Sequence, residues 1–117
     1  MYKLENGKGT IRITNEVFTT LAGLAATNCF GVKGMAFRSM SDGIVHLLKR
    51  EFMGKGVRIG FDENGHVMIE LHIVVDNGVN IPAISSSIKN EVTYKVHEAT
   101  GVPVSQVEIF IDSIVVD

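Results

Sequence analysis

The segment Gly65-His66-Val67-Met68-Ile69-Glu70-Leu71-His72-Ile73-Val74-Val75-Asp76 decides the fold of this chain. Its odd-numbered residues from 67 to 75 are all apolar and mostly β-branched, whereas its even-numbered residues begin with histidine, methionine and glutamate. Successive side chains of a strand point to opposite faces, so the pattern predicts a long strand with one buried face and one largely solvent-facing side.

A hairpin is predicted immediately before this strand. Residues 57–61 alternate in the same way, and the connection between the two segments ends in Asn64-Gly65. Asn-Gly between two alternating runs is the strongest short-range hairpin signal. The two strands are therefore expected to be antiparallel neighbours.

The longest helix is predicted over residues 81–99. Asn80 can cap its first turn, Pro82 fits only within that turn, and Gly101 stops it. Its apolar residues recur every three or four positions and form one stripe. These residues are Ile81, Ile84, Ile88, Val92, Val96 and Ala99.

Two further helices are predicted from shorter patterns. The first begins at Thr14 or Asn15, and Gly31 is a suitable terminator for it. The second is brief and covers residues 43–50. The apolar positions of the first helix are Val17, Phe18, Leu21, Ala22, Leu24 and Ala25, and those of the second are Ile44, Leu47 and Leu48.

The remaining strands complete a β-α-β-α-β-β-α-β order. Residues 10–14 and 31–37 are extended in character, and the last strand places Val107, Ile109, Ile111 and Val115 on one face, with Ser113 as a candidate bulge. With amphipathic helices and a central antiparallel hairpin, the economical architecture is a two-layer α+β fold. We predict one domain over residues 1–117, in which residues 1–8 could be flexible.

Composition and charge narrow the classes of function. The 117 residues are 45% hydrophobic and 21% charged, which is ordinary for a globular protein. The first residues contain no apolar run typical of a signal peptide, and the single cysteine, Cys29, has no internal partner, so we expect a cytoplasmic protein. The charge is +1 over residues 1–32, +4 over 33–61 and −7 over 62–117, which could orient the molecule toward a partner or a second copy.

Four histidines raise the question of a metal site. His66, Glu70 and His72 share one strand face, but residues two apart in a strand are separated by roughly 6.7 Å, so only Glu70 and His72 could reach one ion. A structural zinc ion needs four ligands, and neither His46 nor His97 has ligand spacing around it. We therefore predict no metal-binding residues.

Nucleophilic and nucleotide-binding motifs are absent from the sequence. Cys29 falls near a helix C-terminus, where the helix dipole disfavours a thiolate. The serines at 85–87 are expected to be capping or solvent-facing residues of the long helix. We predict no catalytic or cofactor-binding residues, no cofactor and no enzymatic activity.

The chain resembles the alkaline shock protein family, small bacterial proteins linked to envelope stress. The resemblance is carried by residues 9–14, 16–17, 21–26 and 31–35, and continues through 42–44, 56–59 and 74–82 to Thr100-Gly101. It implies a cytoplasmic, non-catalytic protein of cell-envelope homeostasis that can self-associate or sit at the membrane through a partner. It also implies turns at Gly31, Gly34, Gly43 and Gly78.

Three hypotheses for function follow. The first is an interaction module that binds itself, as a dimer or larger species, or binds a protein partner; an edge position for the last strand would support it. The second is RNA binding through the basic segment from Lys33 to Arg58; the GxxG sequence of residues 31–34 is only a weak signal for it, and the overall acidity weighs against nucleic acid. The third is a small-molecule regulatory domain with a ligand near Ser85.

Overall fold

The computed structural model describes residues 2–38, 45–47 and 56–116. Within those ranges the chain forms two helices and seven strands. The helices are α1 (Asn15–Thr27) and α2 (Ile81–Thr100). The strands are β1 (Tyr2–Asn6), β2 (Gly9–Ile13), β3 (Val32–Arg38), β4 (Val45–Leu47), β5 (Val57–Phe61), β6 (Val67–Asp76) and β7 (Val104–Val115).

Strand β6 is the centre of the main sheet. Along one edge it pairs in parallel with β7 over its whole length. Along the other edge its first half pairs antiparallel with β5, and its second half pairs antiparallel with β3. Strand β4 extends the sheet beyond β3, and β1 pairs with β2 in a separate two-stranded ribbon.

The core lies between one face of β6 and the two helices. The predicted inward residues of β6 are at most 2% exposed, and they pack with buried residues of α2 and with Phe18 of α1. Phe18 also meets Phe61 of β5 edge to face, with ring centroids 5.6 Å apart. The buried residues of β6 and α2 are Val67, Ile69, Leu71, Ile73, Val75, Ile84, Ile88, Val92 and Val96. The α+β class is therefore confirmed.

The hairpin and the caps of α2 also form as predicted. Strands β5 and β6 are antiparallel neighbours, and Gly65 turns between them with φ 79°. Asn64 does not share this positive φ, so the connection is a turn closed by a glycine bulge rather than a two-residue type I′ turn. In α2 the Asn80 side chain accepts a hydrogen bond from Ala83 N–H at 3.1 Å, and Gly101 ends the helix with φ 76°.

The element order differs from the predicted one at two places. Val45–Leu47, predicted as part of a helix, is a strand that pairs antiparallel with β3. A short apolar run has no periodicity that distinguishes a strand from a helix. Here the run pairs with the edge of β3 that faces away from β6. The rest of the predicted 43–50 helix lies outside the described residues. Strand β1, before residue 8, was not predicted.

Smaller corrections concern α1 and the glycines. Helix α1 ends at Thr27, four residues before Gly31, and Val17 is 42% exposed rather than buried. Gly31 and Gly78 have positive φ as turn residues, but Gly34 lies inside β3 opposite Val74. Gly43 lies outside the described residues.

Strand β7 contains a bulge, as predicted, and the bulge changes which of its later residues share a face. Ile111 pairs with Ile73, but the next pair joins Ser113 to Val74, so Asp112 is an extra residue. An extra residue in one strand reverses the facing of every later side chain. Ile114 therefore lies opposite Val75, and Val115, which was predicted to share the face of Ile111, lies opposite Asp76 instead.

Candidate functional site

The face of the main sheet that points away from the helices is largely polar over the first half of β6 and the strands beside it. On β6 the outward side chains of Met68, Glu70 and His72 are only partly buried. Paired residues of neighbouring strands point to the same side, so Arg58 of β5 and Phe110 of β7 share this face. We call it the open face, and it comprises Arg58, Gly60, Met68, Glu70, His72, Gln106, Glu108 and Phe110.

A hydrogen-bonded network is centred on His72. Its Nδ1 lies 2.9 Å from Oδ2 of Asp112, and its Nε2 lies 2.7 Å from Oε2 of Glu70. The imidazole stacks on the Phe110 ring, with centroids 4.7 Å apart and planes 7° from parallel. The two carboxylates therefore hold the ring in place, and both of its nitrogens are engaged.

The other residues considered from the sequence are dispersed. In the described part of the chain, no three His, Cys, Asp or Glu side chains converge in a way that could hold a metal ion. Glu70 and His72 do lie together as predicted, but His66 lies in the β5–β6 turn and His97 in the last turn of α2. The Cys29 thiol donates to the Ala25 carbonyl at 3.4 Å. His46 lies in β4.

The basic segment meets acidic partners at both of its described ends. Lys33 Nζ lies 3.4 Å from Asp76 Oδ1, and Arg58 Nε lies 3.8 Å from Glu70 Oε2. Both basic side chains are about half exposed or more. Lys49, Arg50 and Lys55 lie outside the described residues.

A shallow depression of about 190 Å³ lies on the open face beside the His72 network. Gly60 is one of the residues that line it, and a Cβ at Gly60 would meet nothing within 4 Å. Glu70 and Glu108 lie directly opposite each other on β6 and β7 at its rim. Like charges in this position repel, and Arg58 approaches Glu70 from the other side.

Strand β7 presents a long edge. Its twelve residues span about 40 Å, and all of its pairing in the described residues is with β6. The backbone groups on its other edge therefore point away from the sheet. An exposed edge of this length is a template for pairing with another strand.

Two groups in the described residues have perturbed pKa values, and neither lies in the His72 network. Burial raises the pKa of Asp62, but hydrogen bonds from His66 N–H, the Ser105 hydroxyl and Asn64 N–H outweigh it and lower the pKa below the usual 3.8. A hydrogen bond with the Glu98 carboxylate raises the pKa of Tyr94 on the exposed side of α2. The Asp62 carboxylate accepts hydrogen bonds within the β5–β6 turn, and the Tyr94–Glu98 contact lies on the surface of α2.

Sequence reasoning missed part of this site. The contact of Asp112 with His72 depends on a pairing between strands that are far apart in the chain. The stacking of Phe110 on His72 has the same origin, since these two residues are register partners. No local pattern contains this information, because it requires the register of β6 against β7.

The fold and site define a two-layer α+β domain with helices on one face, a polar open face and a long exposed edge strand. The chain belongs to the alkaline shock protein 23 family, whose model matches residues 3–116 and is described as having a cell envelope-related function. YloU of Bacillus subtilis is 31% identical over 113 residues, which cover 96% of this chain and 93% of YloU. Spy1614 of Streptococcus pyogenes is 30% identical over the same shares of both chains.

A solved structure shares the fold at low sequence identity. A variant of MamM CTD matches with a TM-score of 0.53 and 12% identity, over 87% of this chain and 95% of that chain. At this identity the likeness concerns the fold alone. Within the described residues, neither helix is both long enough and apolar enough to cross a membrane.

Proposed function

We propose that this protein is a non-catalytic interaction module of the cell envelope, which binds a protein strand along the free edge of β7. The family membership supports the cell envelope-related role. The observation that carries the binding mode is the twelve-residue strand β7, which pairs with β6 on one side and with no other strand of the described residues. Strand addition supplies affinity through main-chain hydrogen bonds and specificity through alternate side chains.

The side chains along β7 suit recognition of a partner strand. Phe110 is 40% exposed and is held in one orientation by its stacking on His72. Rigid, partly exposed aromatic rings are typical anchors of protein interfaces. Glu108 is exposed next to it and gives the edge an acidic character. A partner strand that carries a basic residue opposite Glu108 is therefore favoured.

The absence of a catalytic role is part of the proposal. The His72 network resembles the histidine–carboxylate pairs of catalytic sites, but each ring nitrogen is already bound by a carboxylate. A general base needs a nitrogen within reach of substrate. We infer that the network fixes the register of β6 and β7 and supports the Phe110 ring.

The test is site-specific photo-crosslinking in living cells. A photoreactive residue replaces Glu108 on the β7 edge or, as a control, Lys89 on the exposed side of α2. We expect protein crosslinks from position 108 that are recovered with the cell-envelope fraction, and few from position 89. Equal crosslinking from both positions, or none from position 108, would contradict the proposal.

A further inference from the structure

The β1–β2 hairpin projects from the body of the protein as an arm. Its strands pair with each other from Tyr2 opposite Ile13 to Asn6 opposite Gly9, and neither is part of the main sheet. The arm meets the body at Ile13, which packs against the core. A two-stranded hairpin is at best marginally stable by itself in water. The arm is therefore expected to gain order from a surface outside its own domain.

The two faces of the arm differ in character. Leu4 and Ile11 lie opposite each other on one face and are 48% and 53% exposed. On the other face Lys3 lies opposite Arg12, and Lys3 forms an ion pair with Glu5 at 2.9 Å. The described residues of the chain leave the apolar face largely uncovered. Over residues 2–13 the net charge is +2.

Strand β7 has the complementary features. Between its two register shifts, residues 106–111 pair regularly with residues 68–73, which provides six regular positions for a five-residue arm strand. The helix-side residues Val107, Ile109 and Ile111 are only partly buried. On the opposite side lies the exposed Glu108, and over residues 104–115 the net charge is −2.

We propose that the arm of one copy of this chain adds as a strand to the β7 edge of a second copy. Side chains at paired positions of neighbouring strands point to the same side of a sheet. A single orientation of the arm therefore places its apolar side chains beside the apolar row of β7 and its basic side chains on the side of Glu108. Leu4 and Ile11 extend the apolar row of Val107, Ile109 and Ile111, while Lys3 and Arg12 lie on the side of Glu108. This inference rests on the proposed function, since it takes the β7 edge as the binding surface and names its occupant.

The first test compares two apolar-to-acidic variants by light scattering over a range of concentrations. The full wild-type chain is expected to form a dimer or a larger species as its concentration rises. Ile11→Glu places a charge on the apolar face of the arm and should leave the protein monomeric, with the melting temperature that wild type has at a concentration too low for assembly. The control Val17→Glu changes a residue of similar exposure on α1 and should assemble like wild type.

The second test exchanges charges across the contact. Arg12→Glu and Glu108→Arg should each weaken assembly several-fold because each places like charges together, and the double variant should recover it because the pair re-forms with reversed signs. A wild-type chain that stays monomeric, or an Ile11→Glu chain that assembles like wild type, would overturn the inference. A failure to recover assembly in the double variant would also count against it.

The two proposals can fail separately. If photo-crosslinks from position 108 lead only to other proteins, the β7 edge is still an interaction surface but its occupant is not a second arm. If crosslinks from position 108 are absent and the chain is monomeric, both proposals are wrong. If position 108 crosslinks to residues 2–13 of another copy, both are supported.

Discussion

The Asp112 carboxylate lies 2.9 Å from Nδ1 of His72, although the two residues are forty positions apart in the chain. Asp112 is the extra residue of the bulge in β7, between the pairs Ile111–Ile73 and Ser113–Val74. Bulges re-aim a side chain and limit further pairing at a sheet edge. This bulge therefore completes the His72 network and also marks where the regular part of the β7 edge ends.

Asp112→Ala should destabilise the protein by about 1 kcal/mol. The substitution removes a hydrogen bond between two side chains that are only 15% and 26% exposed. Urea denaturation measures the change, with Asp76→Ala as the control. Asp76 pairs with Lys33 on the surface, where both side chains are close to half exposed, so its loss should cost less than about 0.5 kcal/mol. Equal effects of the two substitutions would show that the network contributes no more than a surface ion pair.

Glu108→Gln should leave the protein as stable as wild type or more stable by a few tenths of a kcal/mol. The reason is the repulsion between Glu108 and Glu70, which are direct register partners on β7 and β6. Since both groups are near solvent, salt should screen the effect. Denaturation at low and high salt provides the measurement, and a gain in stability that is independent of salt would exclude this repulsion as its cause.

The parts of the fold that were predicted from the sequence depend on local patterns. The alternation from Val67 to Val75 identifies the buried face of β6, and Asn64-Gly65 identifies the hairpin. The spacing of Ile84 to Val96 identifies the buried stripe of α2. Each of these patterns repeats the geometry of a single element, so it can be recognised without knowledge of the neighbouring elements.

The features that were missed depend on pairing between distant segments. The position of β7 at the sheet edge follows from the whole strand order, and the contact of Asp112 with His72 follows from one extra residue in that pairing. The arm did have a local signal, because Asn6-Gly7 lies between residues that alternate around Leu4 and Ile11. Its exposure, in contrast, could only be seen once the core was placed.

Asp62 should contribute a pH-dependent part of the stability. Its folded pKa lies below the usual 3.8, because hydrogen bonds to the carboxylate, two of them from backbone N–H groups at 2.9 Å, favour the charged form. The unfolded chain therefore takes up a proton more readily than the folded chain. The contribution is fully present well above pH 3.8 and is lost as the pH falls through the folded pKa.

Asp62→Ala tests this contribution through melting temperatures measured from neutral to acidic pH. The variant should melt below wild type at neutral pH, and the difference should shrink as the pH falls below 3.8. Asp62→Asn keeps a side-chain oxygen that can accept the two N–H groups, so it should lie closer to wild type at neutral pH. A difference between wild type and Asp62→Ala that stays constant across this pH range would rule out the charged carboxylate as the stabilising form.

Gly31→Ala should be more harmful than Gly60→Ala. Gly31 has φ 92°, and a Cβ there would lie 2.8 Å from Val79 Cγ1 and 3.0 Å from Ile84 Cδ1. The positive φ alone costs an alanine about 1–2 kcal/mol, and the close contacts with Val79 and Ile84 add to it. Gly60 has room for a methyl group in the open-face depression and no positive φ, so alanine there should be neutral or slightly stabilising. Chemical denaturation of both variants measures the difference, and a Gly31→Ala chain as stable as Gly60→Ala would mean that the loop between α1 and β3 can relax away from Val79.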